Sequence, residues 1–200
     1  MMRQVAAIAT FCALAGLAAG CGTSPPSRFY TLTGTAGTGA AAPAAASSST
    51  VSVVVASVSV PATVDRPQIV VNTGANQVGL DEFNRWASPL QSNIQRTVAE
   101  NLVALLGSAR VTQFLSPDSD FRVAIEVQRF ESTPGDSAVL DAAWVVRRAK
   151  DGKVENGRTT VREATPEKGY DALVAAHSRA VGRLSQDIAD AVRALDRASR

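Results

Sequence analysis

The apolar positions of this chain change period several times along its length, and each change marks an element. Over 51–60 valine dominates, apolar at 51, 53 and 55 and then at 54, 58 and 60. That pattern predicts a strand covered on both faces, or one that changes phase near Ala56 and Ser57. Two shorter strands are predicted at 69–71 and 77–80, separated by an Asn72-Thr73-Gly74 turn signal. Ser88-Pro89-Leu90-Gln91 then reads as a helix start: a hydroxyl cap, proline at the first helical position and glutamine three after the cap. Leu90, Ile94, Val98, Leu102 and Leu105 form the apolar stripe of that helix, and Gly107 stops it.

After a strand at 110–114, Phe121, Val123, Ile125 and Val127 alternate with polar or small residues. The phase breaks at Phe130, which predicts a bulge near Gln128 and Arg129. Thr133-Pro134-Gly135-Asp136 turns the chain into 138–148, where Leu140, Ala142, Trp144 and Val146 share a face. Lys150-Asp151-Gly152-Lys153 signals a hairpin into a last strand ending near Glu163. A helix over 169–198 carries Tyr170, Leu173, Val174, His177, Val181, Leu184, Ile188, Val192 and Leu195 along one stripe. Arg183 with Asp187 and Asp196 with Arg200 are spaced on its other side as opposite charges. The order predicts an α+β fold: a mixed, mainly antiparallel sheet with two main helices packed on it.

The N-terminal part follows neither rhythm. Arg3 precedes an apolar stretch over 5–17, and small residues lead to Cys21 in the run Leu17-Ala18-Ala19-Gly20-Cys21. A spanning helix needs about 20 apolar residues, more than this leader offers, so residues 1–20 are read as a cleaved secretory signal peptide. The run is similar to the lipobox of bacterial lipoproteins, with the usual leucine displaced to Leu17 and Ala18 in its place. The similarity implies cleavage between Gly20 and Cys21, and a diacylglycerol and an N-acyl chain on Cys21. Under the enteric sorting rule Gly22, in place of an aspartate, implies export to the outer membrane.

Residues 33–50 are almost wholly Gly, Ala, Ser, Thr and Pro, a composition that cannot bury enough apolar area to offset its ordering entropy, and are expected to form a flexible loop. The preceding Arg28-Phe29-Tyr30-Thr31-Leu32 has strand-like residues. If it joins the sheet, residues 21–27 are the whole lipidated tether, about 20–25 Å when extended. If it does not, a far longer coil intervenes. Residues 28–200 are thus read as one periplasmic domain.

Composition narrows the chemistry. Loss of Arg3 with the leader takes Lys+Arg from 20 to 19 against 18 acidic residues, so the domain has no basic field for nucleic acid. The two cysteines are Cys12, which leaves with the leader, and Cys21, which is acylated, so thiolate catalysis and cysteine-based zinc sites are excluded. His177 lies on an apolar stripe, which argues for packing rather than base catalysis. Asp118 and Asp120 lack the glycine and terminal glutamate of a calcium loop. The glycines at 34, 37 and 39 do not join a strand to a helix, so they make no phosphate cradle. Nothing specifies an enzyme, a metal or a further cofactor. Asp65-Arg66-Pro67-Gln68 and Arg85-Trp86 remain. They read as a turn ion pair and a core or lid tryptophan, or as a partner-binding patch rich in the residue types that anchor interfaces.

Taken in order, Cys21-Gly22-Thr23-Ser24-Pro25-Pro26, Phe29-Tyr30-Thr31-Leu32, Val60-Pro61, Asp65-Arg66-Pro67-Gln68-Ile69-Val70, Arg85-Trp86-Ala87-Ser88-Pro89-Leu90, Asn101-Leu102, Ala176-His177-Ser178 and Leu184-Ser185 resemble the PqiC/YmbA lipoproteins. The resemblance implies an auxiliary lipoprotein of an ABC-type transport system, on the periplasmic side of the outer membrane. Its implied partners are an MCE-domain periplasmic protein and that system's integral membrane subunit, and its implied role is lipid movement between membranes in support of envelope integrity. An alternative of a different class is a structural envelope lipoprotein that binds peptidoglycan or scaffolds another assembly. A free sheet edge would also suit a homo-oligomer.

Overall fold

The structure, a computed structural model, describes residues 25–35, 51–107, 109–114 and 118–198. Its elements run β1 (Arg28–Tyr30), β2 (Ser52–Ser59), β3 (Gln68–Gly74), β4 (Gln77–Trp86), α1 (Leu90–Leu106), β5 (Arg110–Thr112), β6 (Phe121–Thr133), β7 (Ser137–Arg148), β8 (Val154–Ala164) and α2 (Tyr170–Arg197). The fold is α+β, with the strands divided between two sheets rather than gathered in one. A five-stranded sheet has the order β5-β2-β6-β7-β8, and a three-stranded sheet the order β1-β4-β3. The long ladders β6–β7 and β7–β8 are antiparallel; β2 runs parallel to both β5 and β6, and β1 parallel to β4.

Both helices pack on the five-stranded sheet and on each other: α1 over β2 and β5, α2 over β7 and β8. Leu90, Ile94, Val98 and Leu102 of α1 and Leu184, Ile188 and Val192 of α2 are buried in a core with Val53, Val55, Val123, Leu140 and Val146. The inner face of the three-stranded sheet joins that same core through Tyr30, Ile69, Val71 and Trp86.

The bulges appear where the apolar phase breaks. β2 shifts register between Val55 and Ser57, and β6 between Val127 and Arg129. The second shift returns Phe130 to the buried face, where its ring lies 3.8 Å from that of His177 at an interplanar angle of 9°. On the β7–β8 ladder Trp144 stands opposite Gly157, so close that a Cβ there would lie 2.4 Å from the indole ring. The Trp144 indole N–H donates to Thr159 Oγ1 at 3.0 Å, and that hydroxyl donates to Asp187 at 2.5 Å. Asp187 is therefore tied to β8 instead of to Arg183; Arg200, the predicted partner of Asp196, lies outside the described residues.

Three local expectations change. The β3–β4 turn sits at Ala75 and Asn76, because Asn72 and Gly74 are already paired with Val78 and Gln77. β4 extends to Trp86 because Arg85 pairs with Gln68 on one side and Phe29 on the other. The cap position of α1 is Pro89, with no side-chain hydrogen bond. Proline biases the residue before it away from helical geometry, so the Ser88 hydroxyl stands one residue too early to cap.

Candidate partner-binding site

The segment between β2 and β3 folds into a tight turn. The Val64 and Asp65 N–H groups donate to Pro61 O at 3.0 and 3.1 Å, and Arg66 N–H donates to Val64 O at 2.9 Å. At the far end of β4, Trp86 N–H donates to Pro67 O at 2.7 Å and Ala87 N–H to Tyr30 O at 2.8 Å. These bonds pin the turn, β1 and the approach to α1 around a pocket of about 350 Å³. Asp65, Arg66, Pro67, Trp86, Ala87, Ser88 and Pro89 line it.

Three of the five candidate partner-binding residues, Asp65, Arg66 and Trp86, therefore meet at one site. Asp65 accepts from Gln91 Nε2 at 3.4 Å, and no ion pair joins it to Arg66 among the described residues. Trp86 is buried and packs edge-on against Phe130 at 6.1 Å, so it is a core residue and a pocket wall at once. Gln68 and Arg85 go elsewhere. Paired across β3 and β4, they converge on Glu82, which accepts from Gln68 Nε2 at 3.2 and 3.3 Å and faces Arg85 at 3.5 Å. The Nε atoms of Arg66 and Arg85 are buried with no hydrogen-bond partner among the described residues, an arrangement that costs stability.

His177 belongs to the wall behind the pocket. Stacked on Phe130 and hydrogen-bonded through Nε2 to Ser132 Oγ at 2.8 Å, it is fully buried, and that burial lowers its pKa to about 3. It is neutral at physiological pH. Among the described residues its Nδ1 has no hydrogen-bond partner, and its Nε2 partner, the Ser132 hydroxyl, is buried with it.

A second set of polar residues was not anticipated. Beyond β1 the chain runs as a strap between the two helices. Asn93 Oδ1 accepts from Leu32 N–H at 3.1 Å and Thr31 Oγ1 at 3.0 Å. Ser178 Oγ accepts from Thr33 N–H at 3.1 Å, and Asn101 Oδ1 from Thr35 N–H at 2.9 Å. Asn101 in turn donates to Ser185 Oγ at 3.1 Å, and Arg96 donates to Leu32 O at 2.6 Å. Asn93, Thr97 and Asn101 recur every fourth residue beside the apolar stripe of α1, a legible signal whose meaning depends on a segment some sixty residues away. Of the predicted loop at 33–50, residues 33–35 are thus held in the groove, and 36–50 lie outside the described residues. Gly20 and Cys21 lie outside them as well.

Residues 30–189 match the family described as the ABC-type transport auxiliary lipoprotein component. The chain belongs to that family, and the PqiC/YmbA resemblance read from its motifs is the same one. As an auxiliary lipoprotein of an ABC-type transport system it is a membrane-anchored member of a transport complex. No helix among the described residues is long and apolar enough to cross a membrane. Two solved structures share the fold of this auxiliary lipoprotein. A protein of the DUF330 family from Xanthomonas campestris is 19% identical over 87% of this chain and 100% of its own, with a TM-score of 0.69. An uncharacterized protein is 21% identical over 84% of this chain and 99% of its own, also with a TM-score of 0.69. No curated protein matches the chain.

Proposed function

We propose that this chain is the outer-membrane lipoprotein subunit of an MCE/ABC-type intermembrane lipid transport system, anchored through acylated Cys21 and facing the periplasm. Its pocket at Asp65, Arg66, Trp86 and Ser88 receives the periplasmic MCE component, which the transporter's integral membrane subunit joins to the opposite membrane. The observation that carries this reading is the pocket itself: a largely apolar concavity, walled by a tryptophan and edged by an acidic and a basic side chain, as protein-recognition sites are. The unsatisfied Nε of Arg66, in the pocket lining, supports it, because stability alone would not select it.

Position supports the same reading. β1 is parallel to β4, so the chain leading back to Cys21 leaves from Arg28, opposite Asn84, toward the β3–β4 turn. The pocket lies at the other end of β4, beyond Trp86. An anchor on one side therefore leaves the pocket free to meet a partner on the other.

A photo-cross-linking residue at exposed Ser88 tests the docking. Irradiation of intact cells is expected to join the chain to the MCE-domain protein. Cross-links to peptidoglycan-bound proteins instead, with the MCE protein present and unmodified, would transfer the assignment to a structural envelope lipoprotein.

A further inference from the structure

The outer face of the three-stranded sheet is unusually apolar for a surface. Phe29 is 65% exposed, Val78 55%, Leu80 45% and Phe83 40%. Register puts Phe29, Val78 and Leu80 on one surface. Ile69 and Val71 of β3 point into the core, so Val70 and Asn72 point out, and Leu80 and Val78 pair with them. Phe29 lies across from Arg85, which pairs in turn with Gln68, while the neighbouring Tyr30 and Trp86 are buried. Between Leu80 and Arg85 the strand bulges, with Asp81 Oδ1 accepting from the Phe83 and Asn84 N–H groups at 2.8 and 2.9 Å. The Phe83 ring is left in solvent.

The covalent path of the chain says what covers this face. Seven residue steps lead from Cys21 to Arg28, a reach of about 25 Å when extended. From Asn84, which Arg28 opposes, back to the hairpin turn the same number of residues of β4 spans about 23 Å. β1 runs parallel to β4, so its N-terminal end at Arg28 faces the end of the sheet that carries Leu80 and Val78. A lipid carried at Cys21 thus keeps the apolar face within one tether length of the bilayer. The exposed cation Arg28 lies at the same level, and Glu82 is occupied by Gln68 and Arg85.

We propose that the outer face of the three-stranded sheet rests on the phospholipid surface, with Phe29, Val78, Leu80 and Phe83 set into the interfacial region beside the anchor. This rests on acylation of Cys21. Apolar and aromatic side chains partition into that region, and a second contact converts a tethered domain into an oriented one. The sheet lies flat on the membrane, and the pocket beyond Trp86 projects from its rim.

The lipidated full-length protein tests this directly, because its acylated cysteine leaves an introduced one as the sole thiol. Leu80→Cys and Val78→Cys are labelled with an environment-sensitive fluorophore and reconstituted into vesicles of phosphatidylethanolamine and phosphatidylglycerol. Val154→Cys is the control. Val154 is 41% exposed and starts β8, whose hairpin is tied through Arg148 to Leu195 at the C-terminal end of α2. Tyr30 of the three-stranded sheet instead meets Tyr170 at the N-terminal end of that helix, about 40 Å away.

Iodide quenching of the 78 and 80 probes is expected to fall about five-fold on incorporation, with quenching by lipid-borne nitroxide appearing, while the 154 probe changes in neither respect. Vesicle-bound protein whose 78 and 80 probes stay as open to iodide as the 154 probe would overturn the proposal and leave the anchor intact. Protection that appears without vesicles and grows with protein concentration would overturn it in favour of a second copy of the chain. Protein that fails to enter vesicles at all would remove the anchor and the proposal together.

Discussion

His177 is enclosed by Phe130 on one side and Ser132 on another, and burial holds its pKa at about 3 against an ordinary value of 6.5. The folded-state value lies below the unfolded one, so the unfolded chain takes up the proton first. The stability this provides is complete above about pH 6.5 and is lost as pH falls toward 3. Between pH 7.5 and 5 the loss is about 2 kcal/mol, in a window above the carboxylate range where other groups contribute little. His177→Gln is expected to flatten the dependence of unfolding free energy on pH in that window, measured by denaturant titration. An unchanged slope would mean that the ring titrates alike in the folded and unfolded states. Other residues could be read only through their neighbours. Trp86 is an interface-type residue by composition, and packing makes it a core residue with one side facing a pocket. Arg85, next to it in sequence, points to the opposite face, as strand alternation requires.

At the scale of elements, the strap ties the chain beyond β1 to both helices. Leu32 is fully buried, and its backbone and those of Thr33 and Thr35 are held by Asn93, Ser178 and Asn101 from the two helices. Asn93→Ala leaves the Leu32 N–H buried without an acceptor, an expected cost of about 2 kcal/mol in denaturant unfolding. Gly182 lies under the strap, where a Cβ would come within 2.3 Å of Thr35 Oγ1. Gly182→Leu is expected to evict residues 33–35 from the groove while α2 persists, seen as new proteolytic cleavage there with helical circular dichroism unchanged. Retained protection would show that the helices open to admit the side chain. The helices themselves were legible because each carries a continuous apolar stripe. The strand ends of β3 and β4 were not, because Asn72-Thr73-Gly74 has turn-forming residues that pairing with β4 draws into the ladder.

For the whole molecule, the decisive bond is the proposed acyl link to the membrane at Cys21. Cys21→Ala is expected to move the protein from the membrane fraction to the soluble periplasm; the measurement is fractionation with immunodetection, and a membrane-bound variant would refute the anchor at this residue. β1 joins β4, so Arg28 already belongs to the folded domain, and the proposed anchor at Cys21 has residues 21–27 as its tether. On the proposed reading the domain has a polarity, with the apolar sheet face near the anchor and the pocket at the far end of β4.

The α+β class, both helices, the bulges and the family were in the sequence itself, because periodicity, turn chemistry and short motifs are local and act within a few residues of one another. The division of the strands into two sheets, the capture of residues 31–35 between the helices and the parting of Arg85 from Trp86 were decided by the tertiary structure. These depend on which distant segments compete for the same hydrogen bonds and the same buried surface, and no local pattern records the outcome of that competition.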